Sequence, residues 1–192
     1  MNQEHKTEHT HRSPAGLLFG MVCQCVALIA FDQFTKRLAV FHLKDQPPVV
    51  LINGVLELTY VENRGAAFGM LQNQQWFFWI LTAVFLAVAV YVLLRVPKTA
   101  RYAPLIVSVT VLAAGAIGNL IDRVAHRYVV DFIYFSAINF PVFNVADIYV
   151  TLSVIALLIL FFFRYKEDEL SFLSWKKSAE KKSADKAGEE DA

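Results

Sequence analysis

Four long stretches of the chain carry almost no charge, and shorter polar connections separate them. Ala15–Phe31 is interrupted only by Gln24, and Trp76–Leu94 has no charged residue at all. Tyr102–Ile121 forms a third run, and Val142–Phe163 a fourth, broken by Asp147 alone. A helix needs about 20 predominantly apolar residues to cross a hydrocarbon core. The first run reaches that length when Asp32–Lys36 is counted as an interfacial turn. Its end, "FDQFTKR", is charged and has no small-residue cleavage site, so it reads as a span and not as a cleavable signal. Between the first two runs, "VVLINGVLELTYVEN" carries β-branched, apolar segments on both sides of Asn53-Gly54. That dipeptide predicts a type I′ hairpin, and so a small antiparallel sheet on the membrane surface.

Composition sharpens this picture. The chain of 192 residues is 56% hydrophobic and 18% charged, with a mean hydropathy of +0.44. A soluble domain is nearer a quarter charged. About half of the charged side chains lie before Ser13 or after Tyr165. The expected division is a polar tail over 1–13, a four-span domain over 14–165, and a charged, disordered tail over 166–192. A net charge of +1 with no basic stripe gives no basis for binding nucleic acid. The connection "RVPKTAR" has three cations and no anion, which places it, and both termini, on the cytoplasmic side. The connections over 37–75 and 122–141 then face outward. Cys23 and Cys25 lack the C-x-x-C spacing of a redox or metal motif and read as small core or lipid-facing residues. His5, His9 and His11 sit in the polar tail without a scaffold that would make a metal site.

On this topology the costly residues gather at one depth. Asp32, Thr35 and Lys36 share a face at the outer end of the first helix. Gly115, Asn119, Asp122 and Arg123 share one on the third, and Asn144, Asp147 and Thr151 on the fourth. Asp131 lies in the connection between helices three and four, near the same surface. Polar faces in a membrane bundle turn toward each other or toward water. Asp32 with Lys36, and Asp122 with Arg123, read as structural ion pairs as readily as anything else. Gly115 and Gly118 read as points of close helix packing. Asp131 and Asp147 have no cation in their own segments, and a carboxylate so placed points to function. Ion passage, proton transfer and hydrolysis all use such groups. A transporter or proton relay would need polar residues through the full depth, whereas the inner halves of helices two to four are almost wholly apolar. Zinc-peptidase and serine-hydrolase motifs are absent. Two carboxylates, one ionised and one protonated, remain as the best catalytic pair.

The motifs "DQFTK", "VENRGAAFGML", "GAIGNLIDRV", "VVDF" and "FNVAD" resemble, in order and position, those of the lipoprotein signal peptidase family, signal peptidase II. The resemblance covers about residues 15–165. It implies an α-helical integral membrane protein of the bacterial inner membrane, with four spans and a small outward-facing β-cradle. The implied activity is aspartic endopeptidase cleavage of diacylglyceryl-modified prolipoproteins, on the N-terminal side of the lipidated cysteine, without metal or cofactor. Carried over by motif, Asp131 and Asp147 are catalytic, and Asn63, Asn119, Arg123 and Asn144 line the site. Asp32, Lys36, Gly118 and Asp122 support it. The implied partners are prolipoprotein substrates, membrane lipids and cyclic peptide inhibitors of the globomycin type.

Overall fold

A computed structural model describes residues 14–65 and 74–173. The histidine-bearing tail, the part of "VENRGAAFGML" beyond Gly65 and the lysine-rich tail beyond Leu173 lie outside the described residues. Among the described residues, four helices are long and apolar enough to cross a membrane. They are α1 (Pro14–Leu43), α2 (Gln75–Arg95), α3 (Ala103–His126) and α4 (Val145–Ile159), the last continuing through a π-helical turn over Leu160–Arg164. Three strands, β1 (Val49–Ile52), β2 (Leu56–Asn63) and β3 (Val129–Phe135), form an antiparallel sheet in the order β1-β2-β3.

Breakers and caps set the helix limits. Helix α1 runs well past Phe31, because no strong breaker follows until Asp45 (φ 60°) and the Pro47-Pro48 pair. Asp32–Lys36 is therefore helix body, not an interfacial turn. Helix α2 ends where Val96, extended at ψ 132°, precedes Pro97, which disfavours a helical residue before it. Proline at the first turn starts α3, and Arg127, left-handed at φ 64°, ends it. Helix α4 begins at Val145 and not at Val142, because Asn144 caps it.

Helix α3 is the centre. In its most apolar 18-residue window 56% of residues are buried, against 6%, 11% and 17% for α1, α2 and α4. It packs on all three other helices. Two glycines permit the closest approaches. A Cβ on Gly115 would lie 2.7 Å from the Ala146 carbonyl oxygen, and one on Gly118 would lie 2.6 Å from Asp32 Oδ2. The outer faces of α1, α2 and α4 present leucine, valine and phenylalanine, as a hydrocarbon solvent requires.

The sheet rests on the extension of α1. Val130 and Phe132 pack with Ala39 and Leu43, flanked by Leu58, Tyr60 and Val145. The hairpin forms where Asn53-Gly54 marked it, but it is not type I′. The connection is three residues, Asn53 to Val55, between paired Ile52 and Leu56. Within it Gly54 alone has positive φ (69°), and Val55 N–H closes on the Ile52 carbonyl at 3.0 Å. A type I′ turn needs positive φ at both central residues. At the opposite end of the bundle, Arg101 binds Glu169 at 2.9 and 3.1 Å, and Tyr102 stacks on Tyr165. The first residues after α4 thus form a short helical segment (Asp168–Leu173) docked beneath α2 and the α2–α3 turn.

Candidate active site

Asp131 belongs to a strand, which the sequence pattern placed in a plain connection. Its side chain is 2% exposed. A bulge in β2 brings Asn63 to it. Leu58 pairs with Ile133 and Val61 with Asp131, so β2 spends one residue more than β3 over this interval. Strand side chains alternate, so without that extra residue Asn63 would point to the other face. With it, Asn63 Nδ2 donates to Asp131 Oδ2 at 2.8 Å. Asn63 Oδ1 accepts the Gly65 N–H at 3.0 Å, which fixes the amide's direction.

Asp147 comes from the first turn of α4, in a reciprocal cap. Asn144 Oδ1 accepts the Asp147 N–H at 3.1 Å, and Asp147 Oδ2 accepts the Asn144 N–H at 3.1 Å. Because Asn144 is a cap, its amide is held rigidly, and its Nδ2 donates to Asp131 Oδ1 at 2.6 Å. One asparagine therefore ties both aspartates together. Asn119 of α3 completes the ring, donating to Asp147 Oδ1 at 2.8 Å while its own Oδ1 accepts from Asn144 Nδ2 at 3.1 Å. Burial, and then the charge of Asp147, push the Asp131 carboxyl up to about 7 against the pull of its two amide donors. A buried carboxyl beside another carboxylate, able to hold a proton near neutrality, suits acid–base chemistry.

Behind this ring lies an ionic cluster. Lys36 reaches Asp32 and Asp122, both at 3.0 Å, and Asn119 Oδ1 at 2.9 Å. Asp122 pairs with Lys36, not with its neighbour Arg123, and its Oδ2 also accepts the Val130 N–H at 3.1 Å. Asp32 Oδ1 accepts the Ala146 N–H at 2.9 Å, tying α1 to the start of α4. Gln33, which the motif reading passed over, donates to Asp32, to Asp122 at 2.9 Å and to the Gly118 carbonyl. An amide beside a carboxylate in an apolar run was its available signal. Thr35 turns its hydroxyl back onto its own helix, to the Asp32 carbonyl.

Arg123 stands apart from the cluster. Its guanidinium lies 4.6 Å from the Phe78 ring centre, with long contacts (3.4 Å) to the Asn119 and Gly65 carbonyls. A cavity of about 420 Å³ opens in front of it. Asn63, Asp131, Asp147 and Arg123 supply its polar side, and Phe140, Val142, Phe143 and Leu152 its apolar side. Thus the sequence-nominated residues fall into one site. Asp131, Asp147, Asn63, Asn119 and Asn144 form a single hydrogen-bonded network, Asp32, Lys36 and Asp122 back it, and Arg123 lines the opening.

The family model for Signal peptidase (SPase) II matches residues 24–163. The chain belongs to the signal peptidase II family. It is 40% identical over 134 residues to the lipoprotein signal peptidase of Streptococcus agalactiae serotype Ia, covering 70% of this chain and 86% of that protein. The lipoprotein signal peptidase of Streptococcus thermophilus strain CNRZ 1066 is 41% identical over 135 residues, covering 70% and 87%. Among solved structures, a bacterial membrane enzyme determined by the in meso method at 1.9 Å resolution superposes with a TM-score of 0.66. It is 35% identical, with 76% of this chain and 94% of that chain covered. As a signal peptidase II, the protein is a membrane-embedded peptidase of the bacterial inner membrane that acts on prolipoproteins.

Proposed function

We propose that this signal peptidase II is an aspartic endopeptidase that cuts diacylglyceryl-modified prolipoproteins on the N-terminal side of the lipidated cysteine. The observation that carries this reading is the meeting of Asp131 and Asp147, joined through Asn144, in one half-apolar cavity. Two carboxyls so linked share a proton. The ionised one takes a proton from a water molecule as that water attacks the scissile carbonyl. The protonated one gives its proton to the carbonyl oxygen. The tetrahedral diol then collapses: the C–N bond breaks and a proton passes to the leaving nitrogen. The products are a signal-peptide carboxylate and the free amine of the lipidated cysteine, with no acyl-enzyme. Arg123 and Asn63, on the cavity wall, are placed to hold the substrate backbone.

The sheet end of the bundle faces outward in this reading, and both termini are cytoplasmic. The cations that support it are Arg95 at the end of α2 and Lys98 and Arg101 in the α2–α3 connection. The scissile bond of a substrate helix ending at a lipidated cysteine then lies at the depth of the dyad. The diacylglyceryl group anchors the cysteine at that interface. The test is to incubate the purified protein with lipidated and unlipidated prolipoprotein and to identify the products by mass. The expected result is a product beginning at the lipidated cysteine, formed far faster than from the unmodified chain. Equal rates would refute the role of the lipid.

A further inference from the structure

We propose that Lys36 is a positioning residue for the dyad, acting through Asn119 to hold the negative charge on Asp147. The inference rests on the aspartic mechanism above. An ammonium has three N–H donors and no acceptor. Those of Lys36 are matched by Asp32 Oδ2, Asp122 Oδ2 and Asn119 Oδ1, at 3.0, 3.0 and 2.9 Å. Lys36 itself is 3% exposed, so water does not compete for these groups.

The consequence for Asn119 is directional. An amide keeps its shape when flipped but exchanges donor for acceptor. A flipped Asn119 would set its NH2 against the ammonium and against the Asn144 Nδ2 that now donates to it. Lys36 therefore forbids the flip, and the Asn119 NH2 must face Asp147, which it meets at 2.8 Å. Asp131 receives N–H donors on both oxygens, from Asn63 and Asn144, and so does Asp147, from Asn119 and the Asn144 backbone. Asp147 also sits at N3 of α4, where the positive end of the helix favours an anion. Asp131 sits on a strand with no helix end and is more deeply buried. The arrangement makes Asp147 the base and Asp131 the acid.

The charged groups facing this pair are Lys36 and Asp32 from α1, and Asp122 and Arg123 from α3. Lys36 reaches the pair through a hydrogen-bonded amide, whereas Arg123 acts across the cavity opening. Without Lys36, only Asn144 Nδ2 still holds the Asn119 oxygen, and that oxygen can turn toward Asp147 more easily. A carboxylate that loses a donor and gains a facing acceptor ionises less readily. The acid limb of the pH–rate profile then moves to higher pH.

The test compares Asp122→Asn with the double variant Lys36→Met/Asp122→Asn. The Asp122 change spares the double variant a second uncompensated buried carboxylate. Asp122→Asn removes one facing anion and leaves Lys36 on Asn119, so it should not raise the acid limb above its wild-type position. The double variant should lose roughly tenfold or more in kcat with KM nearly unchanged, and its acid limb should rise by about one pH unit. An acid limb identical to that of Asp122→Asn, with only the melting temperature lowered, would reduce Lys36 to a structural strut and overturn the proposal. Should the double variant not fold, infrared spectroscopy on aspartate-labelled protein at pH 5 decides the charge assignment. The protonated carboxyl stretch should persist in Asp147→Asn and vanish in Asp131→Asn; the reverse pattern overturns it. Failure of the wild type to shorten a lipidated prolipoprotein would sink the aspartic reading instead, an outcome separate from both.

Discussion

A single asparagine decides how the two aspartates meet. Asn144 caps α4 with its oxygen and clamps Asp131 with its nitrogen, so the helix start and the strand are fixed by one side chain. The identity of these residues was legible in the motifs, but their partners were not. Sequence neighbours suggested that Asp122 pairs with Arg123. On a helix, however, adjacent residues point about 100° apart, and Asp122 turns to Lys36 across the interface with α1. The buried Asp131 also has a consequence for stability. Its carboxyl is raised from the ordinary 3.8 to about 7, so the folded state binds this proton more tightly than the unfolded state does. Its contribution is therefore most favourable below about pH 4 and is lost as the pH rises toward 7. Replacing it with asparagine should raise the melting temperature in detergent more at pH 8 than at pH 4. An equal change at both pH values would mean that Asp131 is not held protonated by the fold.

At the scale of elements, apolar run length found the four helices, and breakers and caps moved their ends. The charges of Asp32–Lys36 would mark an interface if each stood alone, which would end helix α1 near Phe31. Those charges neutralise each other inside the bundle, so they do not end the helix. Strand β3 went unseen because both of its faces are covered at its start, which removes the alternation that marks a half-exposed strand. The bulge in β2 has no local sequence signal, yet it aims Asn63. Gly118 is the element-scale feature most open to test. A methyl group there would press on the Asp32 carboxylate, which is buried and tied to Lys36 and Ala146. Gly118→Ala should cost about 1–3 kcal/mol, the usual range for overpacking, and lower both melting temperature and yield. A wild-type melting temperature would show that α1 and α3 can separate at no cost.

At the scale of the molecule, the bundle solves two problems with one layout. Its apolar outer faces suit a hydrocarbon solvent, while a polar ring is enclosed at the sheet end, where a substrate helix would emerge into water. The proposed orientation is checked with fusions. A reporter active only outside the cytoplasm should be silent after Tyr165 and active near Lys44 or His126; the opposite pattern would invert the topology. The most direct measurement of the central claim is the turnover of a lipidated prolipoprotein by purified wild type, Asp131→Asn and Asp147→Asn, each checked for folding by its melting curve. The amide keeps the shape of the carboxyl but can neither act as base nor share the proton. Each folded variant should lose at least about a thousandfold in kcat, and the double variant little more, because the two groups act as one unit. A folded Asp131→Asn or Asp147→Asn protein that kept a substantial fraction of wild-type turnover would contradict the aspartic mechanism.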